Sequence, residues 1–255
     1  MAEVIIVGDA AAAGAIAADA IERLVARKPD AVLGLATGST PLTTWGSLAN
    51  RGLDLSRVHG FALDEYVGLE PGHPESYRSV ITREVVEPLG LTPSLVHVPA
   101  VSGQLETVGS DFEEAIDAAG GIDLQILGIG RTGHIAFNEP GSSLTSLTRV
   151  KRLAEQTRRD NARFFDSLDL VPTHCVTQGL GTILRARHLI LLAFGEKKAA
   201  AIAGAVEGPV TSSLPGSVIQ LHPRVTVIVD EGAASLLANA DYYRSAWENR
   251  LVWEQ

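Results

Sequence analysis

Cysteine is nearly absent from this chain of 255 residues, in which Cys175 is the single thiol. One thiol excludes a disulfide within the chain, which is typical of proteins from a reducing compartment. The Ala-rich start has no basic stretch before it and is interrupted by Glu3 and Asp9, so it does not match a secretory signal. We therefore expect a cytoplasmic protein.

Long apolar runs are also missing, since none approaches the roughly 18 residues of a membrane-spanning helix. Positive charge is scarce: 21 Lys and Arg stand against 30 Asp and Glu, a formal net charge of −9. An acidic surface disfavours nucleic acid and anionic membranes as partners. An anionic substrate would need cations placed locally at its own site.

Two sequence signatures of common hydrolase chemistry do not occur. The seven histidines form no H-x-x-x-H or H-x-H pair, so we predict no metal site. No G-x-S-x-G is present, which argues against the nucleophilic serine of an α/β-hydrolase.

Short apolar runs alternate with helix-patterned segments along the whole chain. The runs read as strands at 4–7, 31–36, 58–63, 95–98, 122–128, 188–194 and 225–229. Several are apolar almost throughout, as expected of strands covered on both faces. Helical patterns occupy residues 11–27, 74–89, 111–120 and 196–208. This rhythm predicts one α/β domain over residues 1–255 with a doubly wound, mostly parallel sheet in a Rossmann-like three-layer arrangement.

Ligands of such sheets bind beyond the carboxyl ends of the strands, so the residues that follow strands are the candidates. One such segment consists of Thr37, Gly38, Ser39 and Thr40, with Pro41 next. If Thr40 caps a helix that Pro41 opens, free N–H groups, hydroxyls and the helix dipole would suit a phosphate. An ordinary capped turn fits the segment as well, and it is not a Walker loop.

A second segment places Asp64 and Glu65 after the strand at 58–63. Adjacent side chains of an extended chain point in opposite directions, so one carboxylate can enter the cleft while the other pairs elsewhere. A carboxylate in a cleft is a candidate general base. A solvated loop acid is the alternative interpretation.

The third segment, GIGRTGHIAFNEPGSS at residues 128–143, puts His134 among glycines after a strand. Gly130 and Gly133 would let the backbone pass close to a ligand. An imidazole can give or take a proton near neutral pH. Glu139 could contact the second ring nitrogen if the intervening turn folds back. A structural histidine bonded to backbone is the alternative.

Taken together, LDEYVGL, HPESY and GHIAFNEPGSSL resemble the glucosamine-6-phosphate deaminases. TGSTP at 37–41, RFFD at 163–166, GLGTIL at 179–184 and QLHP at 220–223 extend the resemblance over nearly the whole chain. The related 6-phosphogluconolactonases share the fold and the Gly-His pair but lack the continuation seen at Asn138, Glu139 and Pro140.

The resemblance implies conversion of D-glucosamine 6-phosphate and water to D-fructose 6-phosphate and ammonia in N-acetylglucosamine catabolism, without a metal or organic cofactor. It implies that Asp64 moves a proton between C2 and C1, that His134 opens the sugar ring, and that Glu139 is the acidic partner of His134. It places the sugar phosphate on Thr37, Gly38, Ser39, Thr40, Gly133, Arg163 and Lys198.

One position departs from the family pattern. Many members carry Asp two residues before the histidine, where this chain has Thr132. Threonine can still donate or accept one hydrogen bond, but it supplies no negative charge to an imidazolium. The change could also accompany another substrate.

The resemblance further implies a regulatory site, because regulated hexameric members bind N-acetylglucosamine 6-phosphate between subunits. Ser142, Arg149 and Lys151 match parts of that site. The alternative is a solvated basic strand, and the start MAEVII lacks the early basic residue of the regulated enzymes. A homo-oligomer, hexameric if regulated, is the expectation that goes with this site.

Three other functions remain open from the sequence. The enzyme could act on another hexosamine phosphate such as galactosamine 6-phosphate, or be a 6-phosphogluconolactonase-like hydrolase. The same fold also occurs in sugar-phosphate sensors without catalysis, although this chain has no appended basic DNA-binding segment.

Overall fold

The computed structural model describes residues 3–251, so Met1, Ala2 and 252–255 of the predicted domain lie outside the described part. Its strands are β1 Glu3–Val7, β2 Val32–Leu35, β3 His59–Ala62, β4 Asp64–Val67, β5 Val96–His97, β6 Leu124–Gly128, β7 Arg149–Arg152, β8 His174–Thr177, β9 Leu189–Ala193 and β10 Val225–Asp230.

All seven predicted strands are present and form a single parallel sheet. The order across this sheet is β1-β10-β9-β6-β2-β3-β5, and every neighbouring pair runs parallel. The strand β9 is buried along its whole length, as expected of a central strand with both faces covered. The predicted α/β class and parallel sheet are confirmed.

Helices lie between the strands in the chain. They are α1 Ala10–Arg27, α2 Leu42–Ala49, α3 Tyr77–Ile81, α4 Glu87–Leu89, α5 Val108–Ala118, α6 Glu155–Asn161, α7 Leu180–Leu184, α8 Ala199–Val206, α9 Glu231–Ala234 and α10 Ala240–Glu248. The continuous helix predicted at 74–89 is interrupted by a wide π-helical turn, Thr82–Val86, between α3 and α4. No helix within residues 3–251 is both long enough and apolar enough to cross a bilayer.

The first helix shows how the sequence fixes these elements. The Asp9 carboxylate accepts a hydrogen bond of 2.7 Å from the N–H of Ala12 and so caps α1. A Cβ on Gly14 would lie 2.5 Å from the carbonyl carbon of Thr43, so α1 and α2 can approach this closely only at a glycine. This contact packs α2 directly against α1.

A second, three-stranded sheet was not predicted. It is antiparallel, with the order β4-β8-β7. Only Leu63 separates β3 from β4, so the segment read as a loop, and β7 reads RVKR, without the apolar pattern of a buried strand. Its register places Asp64 opposite Thr177, and Thr177 opposite Arg149.

The strand order explains where a site can form. The strands β9, β6, β2 and β3 are consecutive neighbours, and they are parallel, so the loops after them meet at one edge. The segments after β9, β6 and β2 contain Lys198, His134 and residues 37–40 respectively, and Asp64 follows β3 as the first residue of β4. The strands β6 and β3 are two spacings apart, roughly 10 Å, which suits a hexose between them.

Candidate active site

The loop after β2 has free hydrogen-bonding groups. Gly38 takes a left-handed conformation with φ of +91°. Within residues 3–251, the N–H groups and hydroxyls of Ser39 and Thr40 donate no hydrogen bond, and neither does the N–H of Gly38. The side chain of Thr37, only half-buried, likewise has no hydrogen-bond partner there. The loop therefore presents unpaired donors at the carboxyl edge of the sheet.

The prediction that Thr40 caps the following helix is wrong. The helix α2 begins at Leu42, and no side chain caps it. Pro41 already has a helical conformation, and its carbonyl accepts the N–H groups of Thr44 and Trp45 at 2.9 and 3.1 Å. The hydroxyl of Thr40 is consequently not used by the helix.

The two adjacent acids after β3 have different environments. Asp64 is 7% exposed, and its carboxylate has no hydrogen-bond partner within residues 3–251. Burial raises the pKa of Asp64 well above its usual value, and the nearby charge of Glu65 adds to this. Glu65 instead accepts the N–H groups of Tyr66, Tyr77 and Arg78, each at 2.8 Å.

Glu65 thus anchors the start of α3. Burial raises the pKa of Glu65 although its three N–H partners act to lower it. As expected of two adjacent acids, one of them pairs and the other does not: Glu65 is satisfied by backbone N–H groups, while Asp64 is left unpaired within residues 3–251.

His134 lies flat against a glycine. A Cβ on Gly130 would come within 2.1 Å of the ring atom Cε1, so only glycine leaves room for the imidazole. The N–H of Gly130 donates to the carbonyl of His134 at 2.8 Å and closes the turn. The ring nitrogen Nδ1 lies 2.9 Å from Oγ1 of Thr132 and 3.5 Å from Oε2 of Glu139.

The turn that returns Glu139 to His134 contains a strained residue. The N–H of Asn138 donates to the carbonyl of Ile135 at 3.1 Å, and Ala136 between them has φ of +48°. A non-glycine residue in this region costs energy and persists where its surroundings hold it. The predicted return of Glu139 to the histidine ring is confirmed by this turn.

Glu139 is buried beneath the imidazole. Its Oε1 accepts a hydrogen bond from the hydroxyl of Thr157 in α6, while Oε2 has no partner closer than Nδ1 of His134. Burial acts to raise the pKa of Glu139, but the contacts with His134 and Thr157 outweigh it and the pKa is lowered. Thr157 was not predicted, because it meets Glu139 only in the folded chain.

The two predicted phosphate cations lie near each other on different elements. Lys198, half-buried after β9, donates from Nζ to the carbonyl of Ile129 at 2.6 Å. Burial lowers the pKa of Lys198, Asp160 acts to raise it, and the charges of Arg131 and Arg163 lower it further. Arg163 is exposed, with its guanidinium 4.7 Å from the ring centre of Phe164.

An acid not found from the sequence sits among these cations. Asp160 forms an ion pair with Arg131, and it lies near enough to Lys198 to affect its pKa. No hydrogen bond joins Arg163 to the loop after β2 in the described part of the chain. Gly133, the remaining predicted phosphate residue, has φ of +79° and is packed against Leu214.

The three residues matched to a regulatory site are only partly brought together. Arg149 and Lys151 share one face of β7. Burial lowers the pKa of Arg149, and no carboxylate pairs with it among residues 3–251. Ser142 is buried in the turn after Glu139, and its hydroxyl has no hydrogen-bond partner there.

Comparison with known proteins places this chain in a family. The model of the family described as "Glucosamine-6-phosphate isomerases/6-phosphogluconolactonase" matches residues 9–228. A glucosamine-6-phosphate deaminase of Arthrobacter sp. (strain FB24) is 58% identical over 257 residues and covers 99% of both chains. One from Bifidobacterium longum (strain DJO10A) is 56% identical, covering 100% of this chain and 99% of the relative.

Solved structures give the same picture. A structure of a monomeric glucosamine-6-phosphate deaminase superposes with a TM-score of 0.89 at 39% identity, over 92% of this chain and 99% of the other. The 6-phosphogluconolactonase from Trypanosoma cruzi gives a TM-score of 0.74 at 22% identity, over 93% and 97% of the two chains. At that identity the likeness concerns the fold alone.

Proposed function

The chain belongs to the glucosamine-6-phosphate isomerase/6-phosphogluconolactonase family, and we propose that it is a glucosamine-6-phosphate deaminase. The observation that carries the proposal is the pairing of His134 with Glu139 at 3.5 Å, together with a buried, unpaired Asp64 after a strand of the same sheet. Relatives 52–58% identical over the full length have that name.

The substrate is anchored by its phosphate. The unpaired donors of Gly38, Ser39 and Thr40 offer N–H and O–H groups to an anion, and Lys198 supplies charge from the segment after β9. Arg163 can add a planar fork to the phosphate oxygens. These local cations attract the phosphate although the chain as a whole has a net charge of −9, which would repel an anion.

His134 then opens the pyranose ring. The imidazole gives a proton to the ring oxygen of the sugar and takes one from the hydroxyl on C1. Glu139 stabilises the imidazole when the imidazole is protonated. The pKa of Glu139 is lowered, so this acid is ionised when the imidazole needs a counter-charge.

Asp64 carries out the isomerisation of the open chain. It removes the proton from C2, which the neighbouring aldehyde acidifies, and the same proton returns at C1, while the amine loses a proton and the oxygen on C1 gains one. The carbon C2 is then an imine, and water converts it to the ketone of fructose 6-phosphate with release of ammonia. Burial of Asp64 helps because it keeps solvent from exchanging with the transferred proton.

A second anion site accompanies this reaction in our proposal. Arg149, Lys151 and Ser142 would bind N-acetylglucosamine 6-phosphate as an activator. Support comes from the half-buried Arg149, which has no acidic partner within residues 3–251, and from the unpaired hydroxyl of Ser142. We also propose a cytoplasmic location, because the single thiol of Cys175 is free and buried.

The test uses the purified protein with glucosamine 6-phosphate and measures ammonia and fructose 6-phosphate together. We expect the two products in equal amounts. Galactosamine 6-phosphate and 6-phosphogluconolactone serve as parallel substrates. Faster ammonia release from galactosamine 6-phosphate would identify that sugar as the preferred substrate. Acid release from 6-phosphogluconolactone would identify the protein as a lactone hydrolase. No turnover of any of the three compounds would contradict the proposal that the protein is an enzyme.

A further inference from the structure

The end of β8 lies between the two segments that carry the catalytic groups. Its last residue is Thr177, followed by Gln178, and both side chains are fully buried. Buried hydroxyl and amide groups cost stability unless their hydrogen bonds are made. Their partners therefore indicate what these two residues hold in place.

On one side the partners belong to the segment that leads to Asp64. The N–H of Gln178 donates to the carbonyl of Leu63 at 2.8 Å, and its Nε2 donates to the carbonyl of Ala62 at 3.1 Å. Thr177 is also the cross-strand partner of Asp64 in the antiparallel sheet. The backbone on both sides of the strand junction before Asp64 is thus fixed to residues 177 and 178.

On the other side the partners belong to the loop between His134 and Glu139. The N–H of Phe137 donates to Oγ1 of Thr177 at 3.1 Å. The side chain of Asn138 donates from Nδ2 to the carbonyl of Gln178 at 2.8 Å. These bonds hold the loop in which Ala136 has its strained conformation.

We propose that Thr177 and Gln178 are positioning residues that set the separation between Asp64 and the His134–Glu139 pair. The inference rests on the proposed deaminase function. The side-chain oxygens of Gln178 and Asn138 have no hydrogen-bond partner in the described part of the chain. Each of these two buried amides therefore makes its contacts through its N–H donors, which bond the carbonyls of Ala62 and of Gln178.

The expected effect follows from what catalysis requires. Both proton transfers act on one bound sugar, so a change in the separation of the two groups misplaces at least one of them. A displacement of about 1 Å costs roughly 100-fold in rate, whereas the phosphate loop that dominates binding is untouched. The turnover number should fall while KM stays nearly constant.

The experiment compares Thr177→Val with Thr177→Ser and Gln178→Met. Valine keeps the shape and removes the acceptor for Phe137, and serine restores it. We expect kcat to fall about 10- to 100-fold in Thr177→Val and Gln178→Met with KM within about threefold, and to recover in Thr177→Ser. Thr226→Val is the matched control, because Thr226 is a buried threonine of β10 that bonds His188 at the opposite edge of the large sheet.

A second measurement does not depend on activity. Amide hydrogen exchange of residues 135–139 should accelerate about tenfold in Thr177→Val and stay unchanged in Thr226→Val, because one hydrogen bond of the loop is lost. Unchanged exchange in the loop, or a kcat equal to that of the control, would overturn the positioning role. An inactive wild type with accelerated exchange in Thr177→Val would overturn the deaminase proposal, and the hydrogen bond from Phe137 to Thr177 would then serve only to stabilise the loop.

Discussion

The hydroxyl of Thr132 lies 2.9 Å from Nδ1 of His134, whereas Oε2 of Glu139 lies 3.5 Å from the same nitrogen. A neutral hydroxyl is therefore the nearest partner of the ring. Because a hydroxyl can donate or accept, it is compatible with a proton on either ring nitrogen. This suits a residue that must give a proton at one end of the ring opening and take one at the other.

Two replacements of Thr132 should distinguish the effect of losing its hydroxyl from the effect of changing its shape. We expect Thr132→Val to lower kcat about five- to tenfold, the equivalent of one hydrogen bond of about 1 kcal/mol, and Thr132→Ser to retain activity. His134→Gln should lower kcat at least about 100-fold, because it removes the proton carrier itself. Steady-state ammonia release measures all three. Equal activities of the valine and serine variants would contradict the role of the hydroxyl.

Variants of the adjacent acids Asp64 and Glu65 should have different effects, one on catalysis and the other on stability. We expect Asp64→Asn to lower kcat by about two orders of magnitude or more, because an amide cannot accept the C2 proton. Glu65→Gln should keep most of the activity but lower the unfolding temperature, because Glu65 accepts three N–H groups at the start of α3. Near-normal turnover in Asp64→Asn would remove this residue from the mechanism.

The same Asp64→Asn variant should be more thermostable than the wild type at neutral pH. The folded-state pKa of Asp64 is raised, so its contribution to stability is present below the unfolded pKa and is lost as the pH rises through the folded pKa. Asparagine does not ionise and escapes that loss. Thermal unfolding at about pH 4 and pH 8 checks this, and the advantage of the variant should grow with pH.

The stability contribution of Glu139 should depend on pH in the opposite direction to that of Asp64. Its pKa is lowered in the folded protein, so its contribution is present above the unfolded pKa and lost as the pH falls through the folded pKa. Glu139→Gln should therefore be less stable than the wild type at neutral pH, with a deficit that shrinks in acid. A deficit independent of pH would mean that the charge of Glu139 is not what stabilises this turn.

Lys198 and its neighbour Lys197 allow a matched test of phosphate binding. Lys198 is half-buried with Nζ directed to the carbonyl of Ile129, whereas Lys197 is exposed. We expect Lys198→Ala to raise KM for the sugar phosphate about 10- to 100-fold, the loss of a charge-assisted bond of roughly 1.5–3 kcal/mol. Lys197→Ala should change KM less than about twofold. Equal effects would indicate general surface charge.

The regulatory proposal predicts a change in the substrate saturation curve. N-acetylglucosamine 6-phosphate should lower the half-saturating concentration of glucosamine 6-phosphate, and Arg149→Ala should abolish this response without changing the basal turnover. Light scattering of the purified protein should be run on the same samples, because the proposed activator site goes with the expectation of a homo-oligomer. Superimposable curves with and without the acetylated sugar would refute the second site.

The large sheet could be predicted from the sequence because each of its strands has a recognisable local pattern. Buried strands such as β9 are apolar along their length, and the helices between them have a helical pattern. The small sheet escaped because β7 consists mostly of charged residues and β4 follows β3 after a single residue. The pairing of β4 with β8 joins segments more than a hundred residues apart, which no local pattern encodes.

The site divides in the same way. Asp64, His134 and Glu139 follow strands and could be found from that position. Thr157 and Thr177 could not, because they lie 18 and 40 residues from the Glu139 and Phe137 atoms that they contact. The expected cap at Thr40 failed because Pro41 already adopts helical angles and offers its carbonyl to the first turn.

Asp64 begins the small sheet at the point where β3 of the large sheet ends, with only Leu63 between them. The proposed phosphate loop follows a strand of the large sheet and the proposed base lies in the small one, so a bound sugar would extend from one sheet to the other. Under the proposed function, the protein would then measure carbon-chain length. A pentose phosphate held at the same loop would present the wrong carbon to the carboxylate, however well it bound.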